Sequence, residues 1–195
     1  MASSSNRATI RAVDQYVALL RGVNVGGRNK IPMADLRRAV EDLGYADVRT
    51  FIQTGNVLFG ASGGPDSVAS TLEAMLCRHF ELDSDEIMVR VLGRDQLAAI
   101  VDEAPHGFGG QPEVYKYDVA FLKGVTGDEV LKHVRVNPEV DAVWARPDAV
   151  YYRRLTSRLS QSRMSQIVST PVYRYLTIRN WNTTTKLLAL MDESS

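Results

Sequence analysis

One order of elements, read twice along the chain, constrains the fold more than any other feature. Tyr16-Val-Ala-Leu-Leu-Arg-Gly22 is a short apolar run stopped by glycine, the pattern of a buried strand. From Pro32 to Leu43, apolar Met33, Leu36, Val40 and Leu43 recur at helical spacing, with Pro32 in the first turn and Gly44 just past the end. Val48–Gln53 and Asn56–Phe59 read as strands around Thr54-Gly55, a tight-turn signal. Pro65-Asp66 opens a second helix carrying Val68, Leu72, Met75, Leu76 and Phe80 on one side. Ile87–Leu92 is a strand and Arg94–Glu103 a short helix. The order is β-α-β-β-α-β and then a helix.

Ala104–Pro112 holds three glycines and two prolines and is the linker-like stretch of the chain. Beyond it the order restarts. Tyr115, Tyr117, Val119 and Phe121 alternate as a strand, Asp128–Val134 is a short helix, and Val140–Ala145 and Val150–Leu155 form a hairpin around Arg146-Pro-Asp148. Thr156 or Ser157 caps an expected helix through Leu159, Ile167 and Val168; Arg174–Arg179 is a strand; and Asn180 caps a last helix along Trp181, Thr184, Leu188 and Met191. The expected fold is α+β: two tandem ferredoxin-like (β-α-β-β-α-β) plaits, each followed by an extra helix, over 13–104 and 113–192. A single mixed sheet of six to eight strands is the alternative, and the position of the linker favours the tandem.

Composition narrows the class. With 195 residues, 45% hydrophobic and 24% charged, the chain can bury a core, which excludes a disordered protein. A single cysteine, Cys77, excludes a disulfide scaffold and reads as an inert buried thiol. No apolar run approaches the ~20 residues that span a bilayer. Met1–Gln15 is polar and interrupted by Arg7, Arg11 and Asp14, unlike a secretory leader. A cytoplasmic protein without a membrane partner is expected.

The zero net charge hides an asymmetry: residues 1–104 carry 11 basic and 14 acidic side chains, residues 105–195 carry 12 and 9. Within Arg146–Lys186 eight basic residues face one acid, Asp148. Such a field favours an anionic partner, and the plain alternative is a solvated basic face.

Two segments could carry chemistry. Arg21-Gly-Val-Asn-Val-Gly-Gly-Arg-Asn-Lys30 packs three glycines, three cations and two asparagines directly before a helix. Glycines let backbone amides turn toward an anion, and the helix start adds its positive dipole end. The string is neither a phosphate loop nor a dinucleotide fingerprint, because Lys30 is followed by Ile31-Pro32. A tight connection whose glycines serve backbone geometry is the structural alternative. Arg179-Asn-Trp-Asn-Thr-Thr-Thr-Lys186 is the second segment. Three successive threonines are poor helix formers, and Arg179 stands beside a helix start that repels cations. A bound anion, or a carboxylate from elsewhere, would resolve that conflict.

Leu20-Arg-Gly-Val-Asn-Val-Gly-Gly27, Lys30-Ile-Pro-Met33, Ile52-Gln-Thr-Gly-Asn-Val57 and Thr177-Ile-Arg-Asn-Trp-Asn-Thr183 with Lys186-Leu-Leu188 together resemble the bacterial family catalogued as domain of unknown function 1697. The resemblance runs from about Tyr16 to Leu190 and implies the same tandem plait, with no catalytic residues, substrate or cofactor attached. The family pattern has a Gly-containing turn and a Ser-Lys pair where this chain reads Arg154 to Met164, with Ser157-Arg158 or Ser162-Arg163 in that place.

Other signals are weaker. His79, His106 and His133 show no metal-ligand spacing; Asp83, Asp85 and Glu86 form an acidic turn too short for a calcium loop. The strand tyrosines Tyr115, Tyr117, Tyr151, Tyr152, Tyr173 and Tyr175 could stack bases, but core packing explains them as well. The favoured function is a binding module for a phosphate-bearing ligand: a nucleotide, a phosphometabolite or a nucleic acid. Its anion site is expected to use Arg21, Asn24, Gly26, Gly27, Arg28 and Lys30 with Arg179, Asn180, Thr183 and Lys186. An enzyme acting on a small phosphorylated or carboxylated substrate, with Arg21, Arg28, Lys30, Arg179 and Lys186 as its clamp, is the alternative; a structural protein without a ligand is the third. Metal, cofactor and oligomeric state have no signal in the sequence.

Overall fold

A computed structural model describes residues 13–83 and 87–193; Arg7, Arg11, Asp85 and Glu86 lie outside the described residues. Two four-stranded antiparallel sheets form, each with the same spatial order. The first contains β1 (Asp14–Arg21), β2 (Ala46–Phe51), β3 (Asn56–Ala61) and β4 (Met88–Gly93), ordered β2-β3-β1-β4. The second contains β5 (Tyr115–Leu122), β6 (Asp141–Ala145), β7 (Ala149–Leu155) and β8 (Leu176–Asn180), ordered β6-β7-β5-β8. A single mixed sheet is thereby excluded, since β4 and β5 belong to different sheets.

Side-chain alternation explains why β1 reads as a continuous apolar run. Tyr16, Ala18 and Leu20 enter one core with α1 (Met33–Glu41) and α2 (Pro65–His79), whereas Val17 and Leu19 point to the opposite face. There they join Val119, Phe121 and Tyr151 of the second sheet, together with Leu97 and Ile100 of α3 (Arg94–Asp102) and Leu187 and Met191 of α5 (Trp181–Asp192). One middle core therefore belongs to both halves. A third core lies on the far face of the second sheet around Val150, Tyr152, Met164 and Leu176, near α4 (Gly127–Leu131).

Three local readings change. The serine-rich segment forms no α-helix but three 3-10 turns, Thr156–Gln161, Met164–Ser169 and Pro171–Tyr175. Its side chains compete for the backbone: Ser162 Oγ accepts from the Met164 N–H, and the Thr170 hydroxyl donates to the Ile167 carbonyl. The β2–β3 connection is four residues long rather than two, because Phe51 pairs with Asn56. Cys77 is exposed, not buried: the buried stripe of α2 is Val68, Ala69, Leu72, Met75 and Leu76, and position 77 turns outward.

The Gly/Pro linker is ordered by one side chain. Phe108 stands edge-on to Tyr117, Tyr151 and Trp181, at centroid distances of 4.8, 5.5 and 5.1 Å, and so packs into the middle core. Among the described residues no helix is long and apolar enough to cross a membrane.

Candidate functional site

The loop after β1 is held from within by two asparagines. The Asn24 amide donates to the carbonyls of Ile31 (2.9 Å) and Gln53 (3.0 Å), and its oxygen accepts from the Ile31 N–H (2.8 Å). Asn29 donates its amide to the Gly22 carbonyl, and exchanges two 2.6 Å bonds with Asp83, one through each backbone N–H. Both asparagines sit at positive φ, 54° and 45°, which their short polar side chains tolerate. At the tip the Arg28 N–H donates to the Val25 carbonyl across Gly26 and Gly27, whose φ of 60° and 78° suit a primed turn. Gly26, Gly27, Arg28 and Lys30 are exposed.

Arg179 is the base of the site. It is 7% exposed and donates through Nε to Asn56 Oδ1 (2.6 Å), through Nη1 to Thr177 Oγ1 (2.8 Å) and the Ile178 carbonyl (2.9 Å). Its Nη2 donates to the carbonyls of Leu20 (2.7 Å), Thr54 (3.0 Å) and Gly55 (3.2 Å). The guanidinium thus engages all its N–H groups on protein oxygens. Burial pulls its pKa down to about 10, still cationic at neutral pH. Its partners are carbonyl, amide and hydroxyl oxygens rather than the carboxylate considered from sequence. Gly55 is required beside it: at φ 73° a Cβ would lie 2.5 Å from Val23 Cγ2 and 2.9 Å from Leu20 Cβ.

In the first turn of α5 the polar groups also turn inward. Asn180 Oδ1 accepts from the Asn182 N–H, and its amide donates to the Tyr117 carbonyl. Thr184 donates to the Asn180 carbonyl, and Thr185 to those of Trp181 and Asn182. Back-bonding of this kind explains a threonine run at a helix start. Thr183 is half-buried, and exposed Lys186 lies 3.7 Å from Glu193.

The structure therefore joins the loop, the β2–β3 turn and β8 through Arg179 and Asn24, and leaves Arg28 and Lys30 on the outside. Arg21, 9% exposed, lies over the Tyr173 ring at 5.4 Å, and Arg174 over Tyr175 at 5.0 Å, so cations from both halves stand beside aromatic rings. Asn56 and Thr177 have no role in the sequence reading beyond their place in the family motifs; Asn56 is the one polar side chain of β3, which is the signal that could have found it, and Thr177 stands in a strand that is already polar at Arg179 and Asn180. Among the described residues no cluster of three or more His, Cys, Asp or Glu could hold a metal ion.

No curated protein matches the sequence. The solved structure of conserved bacterial protein SP0830 from Streptococcus pneumoniae is similar, with a TM-score of 0.75 and 24% identity over 92% of this chain and 99% of that one. That likeness shows the fold. The model of a protein family of unknown function, DUF1697, matches residues 13–152, and the chain belongs to that family.

Proposed function

We propose that the chain is a binding module for a phosphate-bearing ligand, taken up at the outer rim of the loop between β1 and α1. The observation that carries this reading is the division of labour in the loop. Asn24, Asn29 and Asp83 fix its base, while Gly26, Gly27, Arg28 and Lys30 stay exposed at its tip. Arg28 and Lys30 contact the ligand; Arg21, Asn24, Arg179 and Asn180 position the scaffold beneath. Thr183 and Lys186 belong to the wider basic surface, and nucleotide, phosphometabolite and nucleic acid share the chemistry.

The same reading takes the two halves, 13–104 and 113–192, as tandem ferredoxin-like plaits. Identical strand orders support it, as does the matching register: Tyr16 faces Gly93 just before α3, and Asp118 faces Asn180 just before α5. In the second half, 3-10 turns take the place of the second plait helix.

Thermal melting with inorganic phosphate, nucleotides and single-stranded RNA tests the function. Phosphate-bearing compounds should raise the melting temperature of the wild type and not that of the Arg28→Ala/Lys30→Ala variant. If a nucleic acid is the partner, affinity falls steeply with salt as counterions are released. No RNA or single-stranded DNA binding at low salt leaves small anions as the ligand class, and equal shifts in both proteins would remove the site.

A further inference from the structure

Most of the basic run Arg146–Lys186 is engaged within the fold. Arg179 is buried on carbonyls, Arg154 pairs with Asp118, Arg158 with Glu139 and Lys186 with Glu193, and Arg146 donates to the Ala145 carbonyl. Among the described residues, the side chains of Arg153, Arg163 and Arg174 form no hydrogen bond or ion pair. Arg174 is exposed, and its guanidinium lies over the Tyr175 ring at 5.0 Å. A ring holds a guanidinium in place without supplying an oxygen acceptor, so the N–H fork stays available to an anion.

A groove of about 350 Å³ opens beside it, between the 3-10 turn Pro171–Tyr175 and the end of α4. Val125, Pro171 and Val172 give it an apolar lining; Arg174 and Tyr175 border it from the turn, Lys132 and His133 from α4. Tyr175 is 37% exposed, and Lys132 forms no ion pair among the described residues. Glu129, the one acid of the lining, is committed to Thr126: its Oε2 accepts from the Thr126 N–H (2.7 Å) and hydroxyl (2.9 Å). The groove and the loop after β1 lie at the same end of the fold. Arg21, the last residue of β1, stands 5.4 Å over the ring of Tyr173, the residue before Arg174.

We propose that the groove and the loop together bind single-stranded nucleic acid, an assignment that rests on the phosphate reading of that loop. One base enters the groove against Tyr175 and the apolar lining, its phosphate meets Lys132 and Arg174, and a further stretch of the same strand reaches Arg28 and Lys30. An exposed aromatic ring beside an arginine is a stacking platform that accepts any base. The volume takes one ring system with its phosphate, given roughly 150 Å³ for a benzene-sized guest. A small phosphorylated molecule engages one of the two places, whereas a strand engages both. An acidic peptide would meet the cations, but its carboxylates would leave the ring and the apolar lining uncovered.

The test is fluorescence anisotropy of labelled oligouridylate and oligothymidylate of about 12 nucleotides, between about 50 and about 200 mM salt. Dissociation constants on the order of 1–100 μM are expected. Lys132→Ala/Arg174→Ala should weaken binding about tenfold at the lowest salt and reduce the logarithmic salt slope by about 1.4, the share of two phosphates. Inorganic phosphate should still raise the melting temperature of this variant as it does that of the wild type. Tyr175→Leu should weaken binding about fivefold or more at every salt concentration, because stacking releases no counterions. Unchanged affinity and slope in Lys132→Ala/Arg174→Ala would overturn the proposal, as would equal binding of duplex RNA or tighter binding of an oligoglutamate peptide. Failure of both oligonucleotides to bind, with phosphate still raising the wild-type melting temperature, would overturn it and leave the loop reading intact; that reading fails at Arg28 and Lys30 instead. Should a variant fail to fold, photo-crosslinking of a 4-thiouridine strand to the wild type decides: adducts on Tyr173 or Tyr175 support the groove, and adducts confined to other residues refute it.

Discussion

Arg179 Nε donates to Asn56 Oδ1 over 2.6 Å, tying the last strand of the second sheet to the strand that leaves the β2–β3 turn of the first. The pair is polar where its counterparts are not. Arg179 faces Val119 as Leu92 faces Val17, and Asn56 faces Leu19 as Ala149 faces Phe121. One arginine has thus replaced hydrophobic packing at this corner of the middle core, and it draws the carbonyls of Leu20, Thr54 and Gly55 around itself.

Truncating that arginine leaves several buried acceptors without donors. Arg179→Ala should cost about 3–5 kcal/mol in urea unfolding at pH 7, with or without phosphate. Arg179→Lys keeps the charge but offers three donors in place of five, and should lose roughly half as much. A loss of under about 1 kcal/mol for the alanine variant would contradict the clamp.

Ile52 is strained. It sits at φ 49° in the β2–β3 turn and is 47% exposed, although β-branched residues avoid left-handed backbone. Asparagine accepts that conformation at little penalty. Ile52→Asn should therefore raise stability by about 1 kcal/mol, visible as a higher urea midpoint with unchanged slope. An unchanged or lower midpoint would mean that the isoleucine side chain contributes packing that outweighs its backbone.

Gly109 marks where the linker meets α5. Its φ is 83°, and a Cβ there would lie 2.3 Å from Trp181 Nε1. Gly109→Ala must displace the indole, and Phe108 with it, from the middle core. A loss of about 2–3 kcal/mol is expected, with a red shift of tryptophan emission as Trp181 gains water. Wild-type emission in the variant would show that the linker, not the ring, gives way.

Much of this architecture was legible in the chain because it depends on local pattern. The restart of element order after Ala104–Pro112 foretold two sheets, and the family motifs marked the segments that meet at Arg179. What was not legible depends on contacts distant in sequence. Arg179 reads as an orphan cation at a helix start until the Leu20, Thr54 and Gly55 carbonyls arrive from the other half. The threonines of α5 look available until their hydroxyls return to carbonyls about one turn back. Phe108, in a stretch read as linker, gave no sign that it would anchor the middle core.

The middle core should also fail at high pH, and in a way one residue can report. The Tyr151 hydroxyl donates to the Ile100 carbonyl over 2.6 Å, joining the second sheet to α3. Burial, and then the charge of Glu103, push its pKa above the usual 10.0, and burial alone does so for Tyr152. Below pH 10 both tyrosines are protonated whether folded or unfolded, so the stability they contribute is fully present. Above pH 10 the unfolded chain releases these protons first, and stability falls by about 1.4 kcal/mol per pH unit for each tyrosine. Arg179 works in the opposite direction: with its folded pKa drawn to about 10, the folded state releases that proton first as pH rises toward the ordinary 12.5. Burial shifts Tyr16 and Tyr45 in the same direction as Tyr151, and Arg90 in the same direction as Arg179, so the decline of the wild type sums all of these groups. Tyr151→Phe should lose about 1–2 kcal/mol at pH 7, because the Ile100 carbonyl loses its donor. It should also flatten the decline between pH 10 and pH 11 by about one proton's worth. Parallel stability profiles for wild type and Tyr151→Phe across that range would show that the Tyr151 hydroxyl ionises as freely folded as unfolded.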